Sequence, residues 1–315
     1  MISSLPAYGP REGGIHAVPA YRLVSCAGST RVECRVIRED ALTLDIEEIG
    51  TYTLMWTPTD DGPAAAGFVR GDGLLGDAEC PERLALAVGF AFTEGLIDGL
   101  HDVRTLAVCP ERSDVVRMQL ADPSKVKVRR RNVVMTSSCG VCGGREALED
   151  GLADLVPVAD TIRMEAAHFT DLLAAMRRQQ AVFASTGGAH AAAVFSTDRE
   201  IVATAEDLGR HNALDKVIGI CLLNERSLEG CGVVLTSRLS FEMIAKAGRA
   251  GFEIVAAISA PSSLAIETAD RLGITLCGFV RDGNVTVYTH PQRIRELSPS
   301  LAPEADAALA AAAIR

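Results

Sequence analysis

Aromatic side chains are scarce: Phe, Trp and Tyr make up 4% of the chain, with a single tryptophan. A core built from this sequence must therefore be mostly Ala, Val, Leu and Ile. No uncharged apolar run reaches the roughly 18 residues of a membrane-spanning helix, so no membrane partner is expected. Positive charge is also in deficit. Lys and Arg number 31 against 41 Asp and Glu, a net charge of −10, and this excludes general nucleic-acid binding, whose surfaces are basic. The start, "MISSLPAYGPREGG", lacks the basic and then apolar pattern of a signal peptide. The nine cysteines are odd in number and dilute, unlike the disulfide framework of a small secreted domain. A cytoplasmic protein with reduced thiols is expected.

The length, 315 residues with 48% hydrophobic and 23% charged, suits one large or two moderate domains. Residues 1–20 carry Pro and Gly without periodicity and read as flexible. Residues 21–135 read as an α+β domain, with strands at "TYTLMWTP" and "DVRTLAVCP" and a helix at "CPERLALAVGFAFTEGLI". A long half-buried strand is expected through "VVRMQLADPSKVKVRRRNVVMTSS", where Val alternates with charge. Residues 136–160 form a cysteine loop and connection. Residues 161–295 read as one helix, "HFTDLLAAMRRQQAVF", then a hairpin, then three helix–strand units, and 296–315 as an Ala-rich tail. The expected fold is α/β: a mostly parallel sheet with helices on both faces, cytidine-deaminase-like in topology, plus the smaller N-terminal domain.

The stretch "TSSCGVCGG" holds the closely spaced pair, Cys139 and Cys142. Three chemistries use C-x-x-C. A closed zinc site needs four ligands, and the chain has neither a second C-x-x-C nor an H-x₃₋₅-H. Deaminase zinc needs H-x-E and P-C-x-x-C. At the corresponding helix starts stand "GRHNALD", with His211 followed by Ala213, and "TSRLSFE", with Ser237 and Ser240 in place of thiols. No zinc is expected. Thiol–disulfide exchange favours a pair at a helix start, whereas Gly140, Gly143 and Gly144 favour an exposed loop. A sulfur-carrying nucleophile needs an exposed thiolate near cations. Lys125, Lys127, Arg129, Arg130 and Arg131 lie just upstream, although such a run also serves as a solvated strand face.

Six stretches in order, "GFAFTEGLI", "TSSCGVCG", "TGGAHAAA", "EDLGRHNALDKVIG", "TSRLSFEMIAKA" and "GFVRDGNVTVYTH", resemble the formate dehydrogenase accessory sulfurtransferase family, FdhD. The resemblance runs from about Thr51 to Ile294. It implies a sulfur carrier that accepts sulfur as a persulfide from a cysteine desulfurase. The sulfur then passes to the molybdenum bis(molybdopterin guanine dinucleotide) cofactor of formate dehydrogenase. It further implies Cys139 as the persulfide residue, with Cys142 beside it. Phe279, Val280, Arg281, Asp282, Gly283 and Asn284 are implied as the cofactor-contacting stretch.

The acceptor is large and anionic, and its pyrophosphates suit helix starts at the carboxyl edge of a parallel sheet. Ser237 and Arg238 in "TSRLS", with Ser240 and Ser262, are candidate donors there, and plain helix capping is the competing role of each serine. Gly187 and Gly188 allow close backbone approach or form a turn. His190 and His211 are structural or ligand-facing. Asp207, Arg210 and Asp215 read as ion pairs holding a helix start. Two alternatives remain beside sulfur transfer: a cofactor-binding chaperone with an incidental thiol, and a C-x-x-C thiol–disulfide oxidoreductase. A homodimer is compatible with the sequence.

Overall fold

The computed structural model describes residues 13–25, 28–59, 67–69, 81–126, 133–135, 152 and 154–297. Cys139, Cys142 and the basic run beyond Val126 lie outside them, as do residues 1–12 and the Ala-rich tail. The chain opens with a hairpin, β1 (Ile15–Val24) and β2 (Gly28–Ile37), antiparallel over ten residue pairs. The expected flexible start is therefore strand from Ile15 onward. Pro19 is tolerated because a two-stranded ribbon leaves one side of each strand unpaired.

The first large sheet follows. It contains β3 (Asp40–Ile46), β4 (Gly50–Trp56), β5 (Gly67–Val69), β6 (Val103–Cys109), β7 (Arg112–Leu120) and β8 (Val133–Met135). Their order is β5-β6-β7-β3-β4-β8. The long strand expected across this region breaks after Leu120. Asp122 accepts from Ser124 N at 3.1 Å and Pro123 opens a one-turn 3₁₀ helix, because Pro supplies no ladder N–H and Asp favours turns. Helix α1 (Glu82–Thr93) covers one face. Leu84, Leu86 and Phe90 pack there on Leu42, Leu44, Leu54, Leu106 and Val116.

The second half comprises α2 (Ala166–Arg178), α3 (Ala181–Thr186), β9 (His190–Phe195), β10 (Ile201–Asp207), α4 (Arg210–Leu223), β11 (Gly232–Leu235), α5 (Phe241–Arg249), β12 (Ile254–Ala257), α6 (Ser263–Arg271), β13 (Thr275–Arg281) and β14 (Asn284–Val287). The single helix expected at "HFTDLLAAMRRQQAVF" is two, broken at Gln179 and Gln180. The buried Glu206 carboxylate accepts from Val182 N at 2.9 Å and Phe183 N at 2.8 Å, which starts α3 anew.

The second sheet runs β10-β9-β11-β12-β13-β14. Only β11–β12 and β12–β13 are parallel; β10–β9, β9–β11 and β13–β14 are antiparallel. The sheet is thus mixed, which corrects the expectation of a mostly parallel one. Hairpins close both ends, so only the crossovers through α5 and α6 generate parallel neighbours. Helices do lie on both faces. Ala192 and Val194 of β9 face α4 and its neighbours, while Ala191, Ala193 and Phe195 face α2. At the α2 side Glu253 accepts from Ile162 N at 2.9 Å and pairs with the fully buried Arg293 at 3.3 Å.

The two halves meet where α1 crosses α4. A Cβ on Gly89 would overlap the Asp215 backbone oxygen, and a Cβ on Gly219 would overlap that of Ala85. Each glycine sits four residues after the partner of the other, so the helices run antiparallel with backbones in contact. Overpacking a fixed contact costs about 3 kcal/mol. Gly219→Ala should therefore lower the thermal midpoint by roughly 6 °C or more, measured by circular dichroism on heating. A parent-like midpoint would mean that the crossing tolerates separation.

Candidate functional site

Strands β10, β11, β12 and β13 point the same way, because β10 and β11 are both antiparallel to β9. Their carboxyl ends share one edge, where ligands of open α/β sheets bind. His190 opens β9 opposite Asp207, the last residue of β10. Arg210 and His211 open α4, and Ser237, Arg238 and Ser240 lead from β11 into α5. Leu239 bridges to Pro261 in the next connection, with Leu239 N to Ala260 O at 3.1 Å and Ser262 N to Leu239 O at 2.9 Å. The end of β13 lies beyond, and Phe279 N donates to Ser259 O at 3.2 Å. One strand, β12, separates the Arg238 connection from the Phe279 strand, which is about 10 Å at normal strand spacing.

A buried ion pair supports this edge. Asp207 and Lys216 are both fully buried and 2.9 Å apart. Asp207 also accepts from Thr57 N at 2.9 Å, Gly209 N at 2.8 Å and Asn212 Nδ2 at 3.1 Å. Lys216 Nζ donates to Thr57 O at 2.6 Å and Glu206 O at 2.9 Å. Burial alone would lower the Lys216 pKa; the carboxylates of Asp207 and Glu82 outweigh it and raise it. Next to Lys216 in sequence, Asp215 pairs with Lys246 of α5 at 2.9 Å, and Lys246 also pairs with Glu94 at 3.0 Å. Asp207 and Asp215 are therefore the structural ion pairs that the sequence suggests. Arg210 is not part of them.

Arg210 instead belongs to a cationic group. His211 Nε2 lies 2.9 Å from Glu242 Oε2. The His211 imidazole holds the Glu242 carboxyl below its ordinary range, against the effect of burial. Burial lowers the Arg210 pKa, and the neighbouring Arg238 guanidinium lowers it further. Burial depresses His190 as well, and Arg210 and Arg238 add to it, with Asp207 opposing. His190 is thus set against both arginines. Nothing in the sequence marks Glu242 as their neighbour, since it comes from a different helix.

The other candidates divide clearly. Ser262 accepts from Ala265 N at 3.2 Å and is a plain cap of α6. Ser237 is buried and donates to Arg238 O at 3.1 Å. Ser240 occupies the cap position of α5 but makes no capping bond. Gly187, at φ 69°, ends α3, so its role is the turn. Asp282 and Gly283, at φ 51° and 77°, make the two-residue hairpin turn joining Arg281 to Asn284. The Val280 side chain is buried in the core, leaving only its backbone for a ligand. Phe279 differs: it is 40% exposed, at φ 52°, within a register shift of β13. A bulky residue held in the left-handed region is strained. Among the described residues no group of His, Cys, Asp and Glu is disposed to hold a metal. None of their helices is long and apolar enough to cross a membrane.

Residues 80–295, which include every part of this edge, match the FdhD/NarQ family. The chain belongs to the FdhD/NarQ family. A relative from Streptomyces coelicolor, named sulfur carrier protein FdhD, is 35% identical over 280 residues, which is 87% of this chain and 93% of that protein. One of the same name from Thermoplasma acidophilum is 40% identical over 215 residues, 66% of this chain and 74% of its own. A crystal structure from Desulfotalea psychrophila, assigned to a formate dehydrogenase accessory protein, superposes with a TM-score of 0.65. It is 22% identical and covers 88% of this chain and 99% of that one, a likeness of fold.

In this FdhD/NarQ chain the edge depends on its buried pair. Removing one partner of such a pair costs about 3–5 kcal/mol, because the other charge is left uncompensated. Asp207→Ala should lose that much in urea unfolding. A change within about 1 kcal/mol would show that Lys216 finds other compensation.

Proposed function

We propose that this protein is a sulfur carrier in the maturation of formate dehydrogenase, acting in the cytoplasm. The observation that carries the reading is family membership over a segment that includes "TSSCGVCGG". The relatives' shared name, sulfur carrier protein FdhD, supports it. Cys139 is the carrier. Its thiolate attacks the outer sulfur of a persulfide on a cysteine desulfurase. A new S–S bond forms on Cys139, the old one breaks, and the donor cysteine leaves as thiolate. Oxidation level is conserved, since one sulfane sulfur has moved between two thiols. The basic run upstream would favour the thiolate form of Cys139.

The acceptor substrate is the molybdenum bis(molybdopterin guanine dinucleotide) cofactor. Its guanine nucleotide end suits the carboxyl edge of the second sheet. Phe279 offers an exposed ring to a base, the Arg281–Asn284 turn presents polar groups beside it, and Arg238 and the Ser237 connection lie one strand away. On this reading the sheet is a deaminase-like frame in which His211, Ser237 and Ser240 stand where metal ligands would otherwise be. A second reading is a cofactor chaperone with an incidental thiol, favoured by one observation: the described residues of the edge already include the exposed Arg238 and Phe279.

Cys139→Ser separates the two readings. It keeps nearly the same size but cannot hold a persulfide. It should fold, bind GDP, and fail to restore formate dehydrogenase activity in a deletion strain, while Cys142→Ser retains part of that activity. After treatment with a cysteine desulfurase and cysteine, the wild-type protein should gain mass by whole sulfur atoms, reversed by reductant and mapped to the Cys139 peptide. Full activity in Cys139→Ser would transfer the assignment to the chaperone reading. Elemental analysis of protein purified under reducing conditions should find no stoichiometric zinc.

A further inference from the structure

We propose that the β1–β2 ribbon is a docking arm for a protein partner with an acidic surface, and that this partner is the formate dehydrogenase apoenzyme that receives the cofactor. The partner's identity rests on the function proposed above; the surface rests on the ribbon itself. The ten residue pairs of β1 and β2 extend over roughly 30 Å at normal strand rise. Their root is packed into the body. Arg38 N donates to Gly14 O at 2.7 Å and closes the ribbon there. A Cβ on Gly14 would meet Val182 of α3 at 3.1 Å and Thr57 at 3.2 Å, and a Cβ on Gly188 would meet Ile37 at 3.0 Å. Burial then falls away along the arm. Residues 15–18 are half-buried, whereas residues 21–24 and 28–31 are exposed.

The exposed end is apolar and basic. Tyr21 is 73% exposed, Leu23 77% and Val24 55%. Large apolar side chains gathered on a projecting element mark an interaction surface. A two-stranded ribbon standing alone is also marginally stable in water, so a partner that covers it stabilises it. The register sets Tyr21 directly opposite Arg31, and directly opposed residues share a face. Leu23 and Arg35 follow on that same face by the period of two. Aromatic residues and arginine are the side chains that anchor protein interfaces. Arg22 adds a third cation from the other face, and Glu33 is the single carboxylate in the two strands. A chain of net charge −10 thus carries an arm with the opposite balance, and that balance selects an acidic partner.

The position of the root selects which partner. Gly188, against which Ile37 packs, lies two residues before His190, and His190 opens β9 at the carboxyl edge. Thr57, against which Gly14 packs, is the residue whose N–H is held by Asp207 at the end of β10. The arm therefore starts beside the edge to which the cofactor is assigned. An enzyme that takes the cofactor has to approach that edge, whereas a sulfur donor has to approach Cys139. An arm rooted here serves the receiver.

Biolayer interferometry tests the arm, with the full chain immobilised and formate dehydrogenase apoenzyme from a strain lacking this protein as the probe. Wild type should bind the apoenzyme, more weakly as salt rises. Tyr21→Ser combined with Leu23→Ser should weaken binding about tenfold or more. Arg22→Glu combined with Arg31→Glu should weaken it and flatten its salt dependence. All four positions are exposed, so circular dichroism, GDP binding and sulfur loading by a desulfurase should match wild type in both variants. If both variants bind the apoenzyme as wild type does, or wild type does not bind it, the arm proposal falls, while sulfur loading of Cys139 still decides the sulfur-carrier reading. If the apoenzyme binds through the arm but desulfurase treatment adds no sulfur, the arm stands and the sulfur-carrier reading falls. Light scattering in which the variants turn a dimer into a monomer, with apoenzyme binding kept, would make the ribbon an interface between copies of this chain. Arm-dependent sedimentation with phosphatidylglycerol vesicles, again with apoenzyme binding kept, would make it a lipid contact. Either result overturns the proposal.

Discussion

The contact on which the rest of this molecule depends is the buried pair of Asp207 and Lys216. One carboxylate ends β10, begins α4 and reaches the backbone of Thr57, which directly follows β4 of the first sheet. One amine answers it from the second turn of α4 and donates to Thr57 O as well. Asn212 adds a bond to Met55 O at 2.6 Å. Two charges could not stay at zero exposure without this degree of saturation. The pair therefore specifies both where α4 begins and where the first sheet sits against it. The lysine pair one layer away, Lys246 with Asp215 and Glu94, repeats the arrangement between α1, α4 and α5.

The chemistry of the edge follows from that placement. Because α4 starts immediately after a carboxylate turned inward, its first two side chains, Arg210 and His211, remain on the outer side. The connection after β11 then brings Arg238 to them, and α5 brings Glu242. The outer group thus sets Arg210 and Arg238 beside His211 and its carboxylate partner Glu242, while the inner carboxylate Asp207 is held by Lys216. At the far end of the same edge Phe279 stands in a strained backbone at a break in the ladder. Strained residues and register shifts collect where proteins meet ligands.

Much of this was legible in residue order, for physical reasons that also mark where legibility ended. Helices α4 to α6 and strands β11 to β13 follow from short Val- and Ile-rich runs alternating with helical periodicity, and the structure has them where expected. The direction of β9 does not follow, because "HAAAVF" reads identically in a parallel or an antiparallel neighbour. In the β1–β2 ribbon no residue of either strand is fully buried, and Pro19 reads as a breaker. The gap at Gln179 and Gln180 depends on Glu206, distant in sequence. At the site, Ser237, Arg238 and the Phe279–Asn284 stretch lie on one edge as the helix-start argument requires. The role of Glu242 and the left-handed backbone of Phe279 arise only from tertiary contact. Asp282-Gly283 carries a turn signal of its own, which accounts for both residues without a ligand.

The crossing of α1 and α4 at Gly89 and Gly219 has a mechanical meaning. Side chains between two helices normally act as a compliant layer, able to change rotamer when one helix shifts. At Gly89 and Gly219 peptide meets peptide, with no such layer between them. The two helices form a stiff coupling with no play. A displacement of α1 at this crossing would be felt directly by α4, the helix whose first residue is Arg210.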